Sequence, residues 1–355
     1  MIEALDIQTS RVAKSRIREV NFDNIQFGKH YSDHMFVADY ANGEWSDLRI
    51  VPYENLSLSP ATAAIHYGQS IFEGMKAHKS LQGEALLFRP RKNYERMNRS
   101  AVRMCMPTLP EEIFMGGLTE LIKLDAAWIP DKPGTSLYVR PFMFATDEYI
   151  GVRPSHTYRF MIFTSPAGGY YAEPVKIKVE TKYARAFEGG TGFAKAAGNY
   201  GASLYPARLA QEQGYHQLLW TDGKQHAYIE ESGTMNIMFV INNKLITSPL
   251  SDTILDGVTR DSVIHVAKDW GYAVEERPIS VHEVIDALKD GALNEAFGTG
   301  TAVTVAHVAL IGYEGVNYPI PTPTEQSFSV RVLETLENIK RGKAEDPYGW
   351  IYKVK

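Results

Sequence analysis

The sequence predicts an α+β fold divided into two domains. Its 355 residues are more than one hydrophobic core usually supports, and 44% of them are hydrophobic, which is enough for two cores. Strand and helix patterns occur in mixed order, without the alternation that a doubly wound sheet requires. The Pro/Gly-rich segment from Ser165 to Gly169 indicates a linker. We therefore expect an N-terminal domain over residues 1–164, an interdomain loop over 165–175 and a larger C-terminal domain over 176–355.

The N-terminal half contains apolar runs that predict two strands and one helix. Residues 85–88 (ALLF) predict a strand that stops at Arg89-Pro90. Apolar residues from Met97 to Cys105 recur at helical spacing and predict a helix that Pro107 ends. Residues 160–163 predict the strand that leads into the linker.

The C-terminal half opens with strand patterns. Residues 175–180 alternate as a half-buried strand does. Residues 217–230 predict a hairpin that turns at Thr221-Asp222-Gly223. A second hairpin is predicted over residues 237–246, with Asn242-Asn243 as its turn.

Two helices are predicted farther along the C-terminal half. Apolar residues from Val263 to Trp270 form one face of a helix that Gly271 closes. Ser280 and Glu283 have the spacing of a capping box, which predicts the start of a second helix.

Composition excludes several classes of protein. The net charge of −5 gives no broad positive field, so neither nucleic acid nor a membrane surface is an expected partner. Cys105 is the only cysteine, and the ten histidines lack metal-binding spacing, so we expect no disulfide and no metal. The first residues have neither the basic nor the apolar region of a signal peptide, and no apolar run approaches about 20 residues, so we expect no signal peptide and no transmembrane helix. We expect a cytoplasmic protein.

The segment from Gly189 to Gly201 contains the first candidate catalytic residue. Five glycines in thirteen residues predict sharp turns and close backbone approach to a ligand. Lys195 lies among Phe193, Ala194 and Ala196. Apolar surroundings favour a neutral, nucleophilic amine, which covalent catalysis by lysine requires.

Two further segments suit an anionic or heterocyclic ligand. Glu231 lies at the end of a strand pattern, where a carboxylate can keep a ring nitrogen protonated. Residues 256–260 open the first C-terminal helix, whose unpaired amides and dipole suit a phosphate group.

Eight segments together resemble the fold-type IV enzymes that use pyridoxal 5'-phosphate, and among them the branched-chain amino-acid aminotransferases. They follow the family's order and extend over most of the chain. The segments are Phe27-Gly28, His66 to Gly74, Tyr94 to Met97, Tyr138 to Pro141, Lys195 to Gly201, Glu231 to Asn236, Gly257 to Arg260 and Gly300 to Ala302.

The resemblance implies a two-domain fold with pyridoxal 5'-phosphate between the domains, held mainly by the C-terminal one. Lys195 would bind the cofactor as a Schiff base and move the catalytic proton. Glu231 would pair with the pyridine nitrogen, and Tyr200 would donate a hydrogen bond to the phenolic oxygen. The residues implied for the phosphate are Arg96, Val258, Thr259 and Thr301.

The resemblance also implies the substrate site and the assembly. Arg140 would bind the distal carboxylate of glutamate, with Tyr67 and Tyr138 beside it, and amides near Thr301 and Ala302 would bind the α-carboxylate. The other substrate residues implied are Phe27, Phe72, Val152 and Thr234. The family is homodimeric, so we expect a homodimer with a shared active site.

The implied reaction transfers an amino group between leucine, isoleucine or valine and 2-oxoglutarate. D-Amino-acid aminotransferase and aminodeoxychorismate lyase share the fold, and remain alternatives, although residues 138–141 and 198–201 favour the branched-chain type. A non-catalytic protein that binds pyridoxal phosphate is an alternative of another class, but mere binding would not require Glu231. The preference among the three amino acids and the biosynthetic or degradative role are left open.

Overall fold

The computed structural model describes residues 5–168 and 173–355. Its strands are β1 (Gln8–Thr9), β2 (His34–Ala41), β3 (Glu44–Pro52), β4 (Ser70–Phe72), β5 (Met75–Lys79), β6 (Ala85–Phe88), β7 (Ser136–Ala145), β8 (Tyr158–Ala167), β9 (Val175–Val179), β10 (Gln217–Thr221), β11 (Ile229–Ser232), β12 (Met235–Ile241), β13 (Lys244–Thr247), β14 (Ala273–Glu276), β15 (Leu293–Thr299), β16 (Val305–Tyr313), β17 (Val316–Pro319) and β18 (Ile351–Lys353). Its α-helices are α1 (Ala63–Tyr67), α2 (Pro90–Arg103), α3 (Glu111–Leu124), α4 (Ala197–Glu212), α5 (Val258–Asp269), α6 (Val281–Lys289) and α7 (Phe328–Lys340). Short 3₁₀ turns occur at Ile17–Glu19 and Ala126–Trp128.

The chain forms two compact units whose boundaries differ from the predicted domains. The first contains the described residues as far as Gly168, together with 194–198 and 338–355, and the second contains 173–193 and 199–337. Part of the predicted interdomain loop is sheet, because β8 pairs with β7 as far as Ala167. Residues 169–172 of that loop lie outside the described residues. The C-terminal residues join the first unit because β18 pairs with β6.

The first unit is built on a mostly antiparallel sheet in the order β1-β3-β2-β8-β7-β5-β6-β18, with β4 paired to β7. Helix α3 covers the β2 region of the sheet. Fully buried aromatic residues such as Phe36, Phe114 and Phe160 fill this interface. Two neighbouring strands at the centre of the sheet, β7 and β4, carry several of the candidate site residues.

The second unit is a sheet that closes on itself. Its order is β11-β10-β9-β16-β15-β12-β13-β14, and β11 also pairs with β12, which closes a six-stranded barrel. Strand residues such as Ile177, Leu219 and Phe239 fill its core. Barrel closure brings Glu231 on β11 opposite Asn236 on β12.

Most of the predicted C-terminal elements are confirmed. Both hairpins form, and Asn242 and Asn243 adopt positive φ values of 49° and 60°, as the tight turn requires. Ser280 accepts a hydrogen bond from the Glu283 amide, which confirms the N-terminal cap of α6.

Two predictions need correction. One concerns the end of helix α2, and the other concerns the glycine-rich segment from Gly189 to Gly201. Helix α2 ends at Arg103, before Pro107, because Cys105 adopts a positive φ of 52°. The glycine-rich segment is a turn only in its first part, since helix α4 begins at Ala197. Within the described residues no helix is long and apolar enough to cross a membrane.

Candidate active site

The backbone of Lys195 is held on both sides within the first unit. Its N–H donates to Ser100 Oγ on α2 (2.9 Å), and its carbonyl accepts the N–H of Phe72 on β4 (3.1 Å). Ala196 forms an antiparallel bridge with Ile71. The Lys195 Nζ atom lies 4.6 Å from the centroid of the Phe72 ring. The amine therefore projects from a backbone that a helix and a strand fix, as a catalytic group requires.

Four predicted substrate residues come together in the same unit. Tyr138 and Arg140 are two residues apart on β7 and share one face of the sheet. Arg140 Nη2 donates to Tyr138 Oη (2.9 Å), and its guanidinium carbon lies 4.6 Å from the centroid of the Phe72 ring. Phe27 packs edge-on against Tyr138, with 5.1 Å between ring centroids. We call Arg140, Tyr138, Phe72 and Phe27 the Arg140 cluster.

The Arg140 cluster contains one polar atom that the protein does not satisfy. Arg140 Nε is buried and has no hydrogen-bond partner among the described residues. A buried N–H of a guanidinium without an acceptor is costly, and a carboxylate oxygen of a ligand would satisfy it.

A glycine next to β4 makes room for Tyr138. A Cβ atom at Gly74 would lie 2.2 Å from Tyr138 Oη and 3.0 Å from its Cζ. Such distances are far below van der Waals contact, so the observed position of the Tyr138 hydroxyl requires glycine at residue 74.

Arg96 on α2 is buried in an ion pair that sequence reasoning missed. Its Nε and Nη2 donate to Glu73 Oε1 (2.8 Å) and Oε2 (2.7 Å), and Asn93 Nδ2 also donates to Oε2 (2.8 Å). Glu73 has no exposed surface and Arg96 is 4% exposed. The pair uses two of the five N–H groups of Arg96, and the predicted phosphate role of Arg96 stays a prediction. The available signal was an acid directly after the apolar Ile71-Phe72.

The second unit contains a small cavity of about 20 Å³ that joins three predicted site residues, namely Tyr200, Glu231 and Thr234. Tyr200 lies in the first turns of α4, Glu231 lies on β11, and Thr234 lies in the turn that follows β11. The complete lining is Arg185, Asn199, Tyr200, Ser203, Glu231, Gly233, Thr234 and Leu255.

Glu231 is 3% exposed, and partners surround both of its carboxylate oxygens. Oε1 accepts hydrogen bonds from the Leu255 amide (2.8 Å) and from Asn236 Nδ2 (3.1 Å). Oε2 lies 3.2 Å from Arg185 Nε. Hydrogen bonds and a nearby cation stabilise the charged form of a buried carboxyl. The predicted role of Glu231 stays a prediction, and sequence reasoning gave no role to Asn236 and Arg185, which hold its carboxylate.

The N-terminus of α5 and the turn after β15 meet in the second unit. Thr259 Oγ1 donates to the Gly300 carbonyl (3.2 Å), which brings Val258 and Thr259 near the turn that contains Thr301 and Ala302. Gly257, the N-cap, has no side chain that could satisfy the first amides of the helix. The positive end of the helix dipole and these amides suit a phosphate group.

Three predicted substrate residues are exposed on their own chain. One of them, Phe27 of the Arg140 cluster, is 43% exposed. Tyr67, the last residue of α1, is 40% exposed, and Val152 is 90% exposed. A side chain with the exposure of Val152 fills no pocket of its own chain.

Comparison with known proteins identifies the family. The model of the amino-transferase class IV family matches residues 70–311, which is more than half of the chain. The chain belongs to the class IV amino-transferases. A curated relative of this aminotransferase, branched-chain-amino-acid aminotransferase 2 of Bacillus subtilis (strain 168), is 46% identical over 353 residues, with 98% of this chain and 97% of the relative covered.

Solved structures show the same relationship. The branched-chain aminotransferase of Thermoproteus uzoniensis with norvaline has a TM-score of 0.75 and 26% identity, with 91% of this chain and 100% of that chain covered. The T.th. branched-chain amino acid aminotransferase complexed with N-(5'-phosphopyridoxyl)-L-glutamate has a TM-score of 0.73 and 26% identity, with 90% of this chain and 98% of that chain covered. The predicted fold-type IV architecture and the predicted family are confirmed.

The residues of this aminotransferase fit the pyridoxal phosphate group that its family implies. Glu231 offers a buried, charge-stabilised carboxylate for a ring nitrogen. Tyr200 lines the same cavity with its phenol. A Cβ atom at Gly257 would lie 2.0 Å from Asn236 Oδ1, so this N-cap has no room for a side chain that would compete with a phosphate.

Proposed function

We propose that this aminotransferase transfers the α-amino group of L-leucine, L-isoleucine or L-valine to 2-oxoglutarate, with pyridoxal 5'-phosphate as cofactor. The observation that carries the proposal is the Arg140 cluster. One pocket must accept an aliphatic side chain in one half-reaction and a carboxylate in the other. The aromatic rings of Phe72 and Phe27 suit the first, and the unsatisfied Nε–H of Arg140 suits the second. One of the two solved relatives binds norvaline, which has an aliphatic side chain. The other binds a glutamate derivative, which has a carboxylate side chain.

Lys195 and Glu231 have the proposed proton-handling roles. The bound cofactor withdraws electrons from the substrate α-carbon, which makes that C–H bond acidic. We assign to Lys195 Nζ the transfer of a proton between the substrate α-carbon and the C4′ carbon of the cofactor, because its fixed backbone gives the amine a defined position. Glu231 holds the proton on the ring nitrogen, and the Leu255 amide, Asn236 and Arg185 keep it ionised for that task.

The remaining residues are proposed to orient the cofactor and the substrate. Tyr200 donates a hydrogen bond to the phenolic oxygen, and Thr234 contacts the substrate from the same cavity. Amides near Ala302 bind the α-carboxylate. The groups that bind phosphate in this proposal are Arg96, Val258, Thr259 and Thr301.

We also propose that two copies of the chain form a homodimer with shared active sites. Helix α1 and the loop 146–156 expose Ile65 (62%), Ile150 (70%) and Val152 (90%) to solvent. The amide of Tyr149 donates to the Ala61 carbonyl (3.1 Å), so the backbones of these two segments are joined. An apolar patch of this kind marks a contact surface, and Val152 would reach the substrate pocket of the partner. A lower mass of Val152→Asp in light scattering would support this.

A cytoplasmic location is proposed because the exposed Cys105 thiol suits a reducing compartment.

A half-reaction titration tests the proposed reaction. The protein is loaded with pyridoxal 5'-phosphate, and its absorbance is followed during separate additions of L- and D-amino acids. Spectral conversion by L-leucine, L-isoleucine, L-valine and L-glutamate is expected. Conversion by D-amino acids alone would indicate a D-amino-acid aminotransferase, pyruvate release from aminodeoxychorismate would indicate the lyase, and no conversion at all would indicate a non-catalytic binding protein.

A further inference from the structure

Arg185 occupies a fixed and largely buried position beside Glu231. Its side chain is 10% exposed and lies on the segment between β9 and α4. Nη2 donates to the carbonyls of Gly192 (3.2 Å) and Thr253. Nε lies 3.2 Å from Glu231 Oε2 but is not aligned as a hydrogen-bond donor. The two carbonyls therefore anchor the guanidinium, and its effect on Glu231 is one of charge.

The two oxygens of Glu231 face different kinds of partner. Neutral donors, the Leu255 amide and Asn236 Nδ2, hold Oε1, while the cationic Arg185 faces Oε2. The neighbouring Glu230 shows what burial does to a carboxyl that has fewer partners. Its Oε2 has no hydrogen-bond partner among the described residues, and burial raises its pKa to about 7.

We propose that Arg185 is a positioning residue that prevents the ring-nitrogen proton of the cofactor from moving onto Glu231. This inference rests on the proposed role of Glu231 as partner of that nitrogen. Transfer of the proton to Glu231 would move a positive charge toward a guanidinium 3.2 Å away. In a buried site this repulsion is only weakly screened, so the proton stays on the nitrogen.

The other ionisable groups that line the cavity with Glu231, or adjoin it on β11, do not supply this effect. Glu230, which precedes Glu231 on β11, is an acid, and Tyr200 on α4 carries a phenol. An acid nearby would attract the proton toward the carboxyl group and would not repel it. Arg185 is the cationic residue in the lining of the cavity that Glu231 also lines.

The test observes the proton directly. The holoenzyme is prepared with pyridoxal 5'-phosphate labelled with ¹⁵N in the ring, and the ¹⁵N chemical shift is recorded without substrate. Wild type and Arg185→Lys should show a protonated ring nitrogen, whereas Arg185→Gln should shift toward the unprotonated value. Arg277→Gln is the matched control, since Arg277 pairs with Glu275 and Glu283 and does not line the cavity. We expect its ¹⁵N shift to equal that of wild type.

A fourth variant gives both charge states in one folded protein. Arg185→His loses its charge as the pH rises, so its ¹⁵N shift should change with pH, while wild type stays constant. A constant shift in Arg185→His, a wild-type shift in Arg185→Gln, or equal displacements in Arg185→Gln and Arg185→Lys would each overturn the inference. A wild-type protein that binds no pyridoxal 5'-phosphate would instead overturn the proposed function itself.

Discussion

Replacement of Arg140 by methionine should impair the glutamate half-reaction far more than the leucine half-reaction. Methionine keeps an unbranched apolar chain against Phe72 but removes the guanidinium. The buried Nε–H that has no acceptor among the described residues is then no longer available to a distal carboxylate. Leucine makes no use of that group, so its own contacts with the aromatic rings remain.

The contacts of Arg140 set the expected magnitude. Loss of a charge-assisted hydrogen bond to a carboxylate costs about 1.5–3 kcal/mol, which is a factor of about 10 to 150 in kcat/KM. Both half-reactions also lose the 2.9 Å bond to Tyr138 Oη, which contributes about 0.5–1.5 kcal/mol. The ratio of glutamate to leucine activity removes this common loss and should fall by about tenfold or more.

Single-turnover absorbance kinetics with each amino acid separately measures this ratio. Tyr138→Phe is the control, because it removes the hydrogen bond to Arg140 and leaves the guanidinium in place. Its ratio should stay near that of wild type. Equal losses for leucine and glutamate in Arg140→Met would show that Arg140 supports the pocket and does not recognise the carboxylate.

Four further variants test other parts of the site. Lys195→Ala should fold and lose transamination, and borohydride reduction of the wild type followed by peptide mapping should label Lys195 and no other lysine. Glu231→Gln should lower kcat much more than it raises the cofactor Kd, because a neutral amide cannot keep a ring nitrogen protonated; an unchanged kcat would contradict its role. Gly74→Ala places a Cβ atom 2.2 Å from the Tyr138 hydroxyl and should raise KM for glutamate and for leucine alike, whereas unchanged KM values would mean that the hydroxyl is not needed. Burial raises the pKa of Glu230 from 4.5 to about 7. Its protonated carboxyl therefore favours the folded state at low pH, and the free energy of unfolding falls as the pH rises between those two values. Glu230→Gln should remove that decline in the free energy of unfolding measured with urea.

Local signals in the sequence predicted the elements that depend on local chemistry. The Asn242-Asn243 turn and the Ser280 cap each follow from side chains within a few residues, so both are confirmed. Helix α4 was missed because it contains Gly198, Gly201 and Pro206, which all lower intrinsic helix propensity. Tertiary packing overrides that local preference.

In the candidate site, too, local segments could be predicted from the sequence, whereas contacts between distant residues could not. Lys195 and Glu231 are recognisable from their segments, but the residues that hold them are not. Glu73 and Arg96 are 23 residues apart and meet only because a strand end packs against a helix. Arg185 is 46 residues from Glu231 in the sequence, and no single-sequence pattern indicates that the two are neighbours.

The pairing of β18 with β6 has a consequence for biosynthesis of the chain. Residues 85–88 of β6 are all buried, and residues 351–353 cover one edge of that strand. A ribosome translates about 260 residues between these partners. Until β18 is made, the nascent chain presents an apolar strand edge, which is a template for aggregation. Truncation before residue 351 should therefore produce insoluble protein during expression, even though the barrel of the second unit is complete.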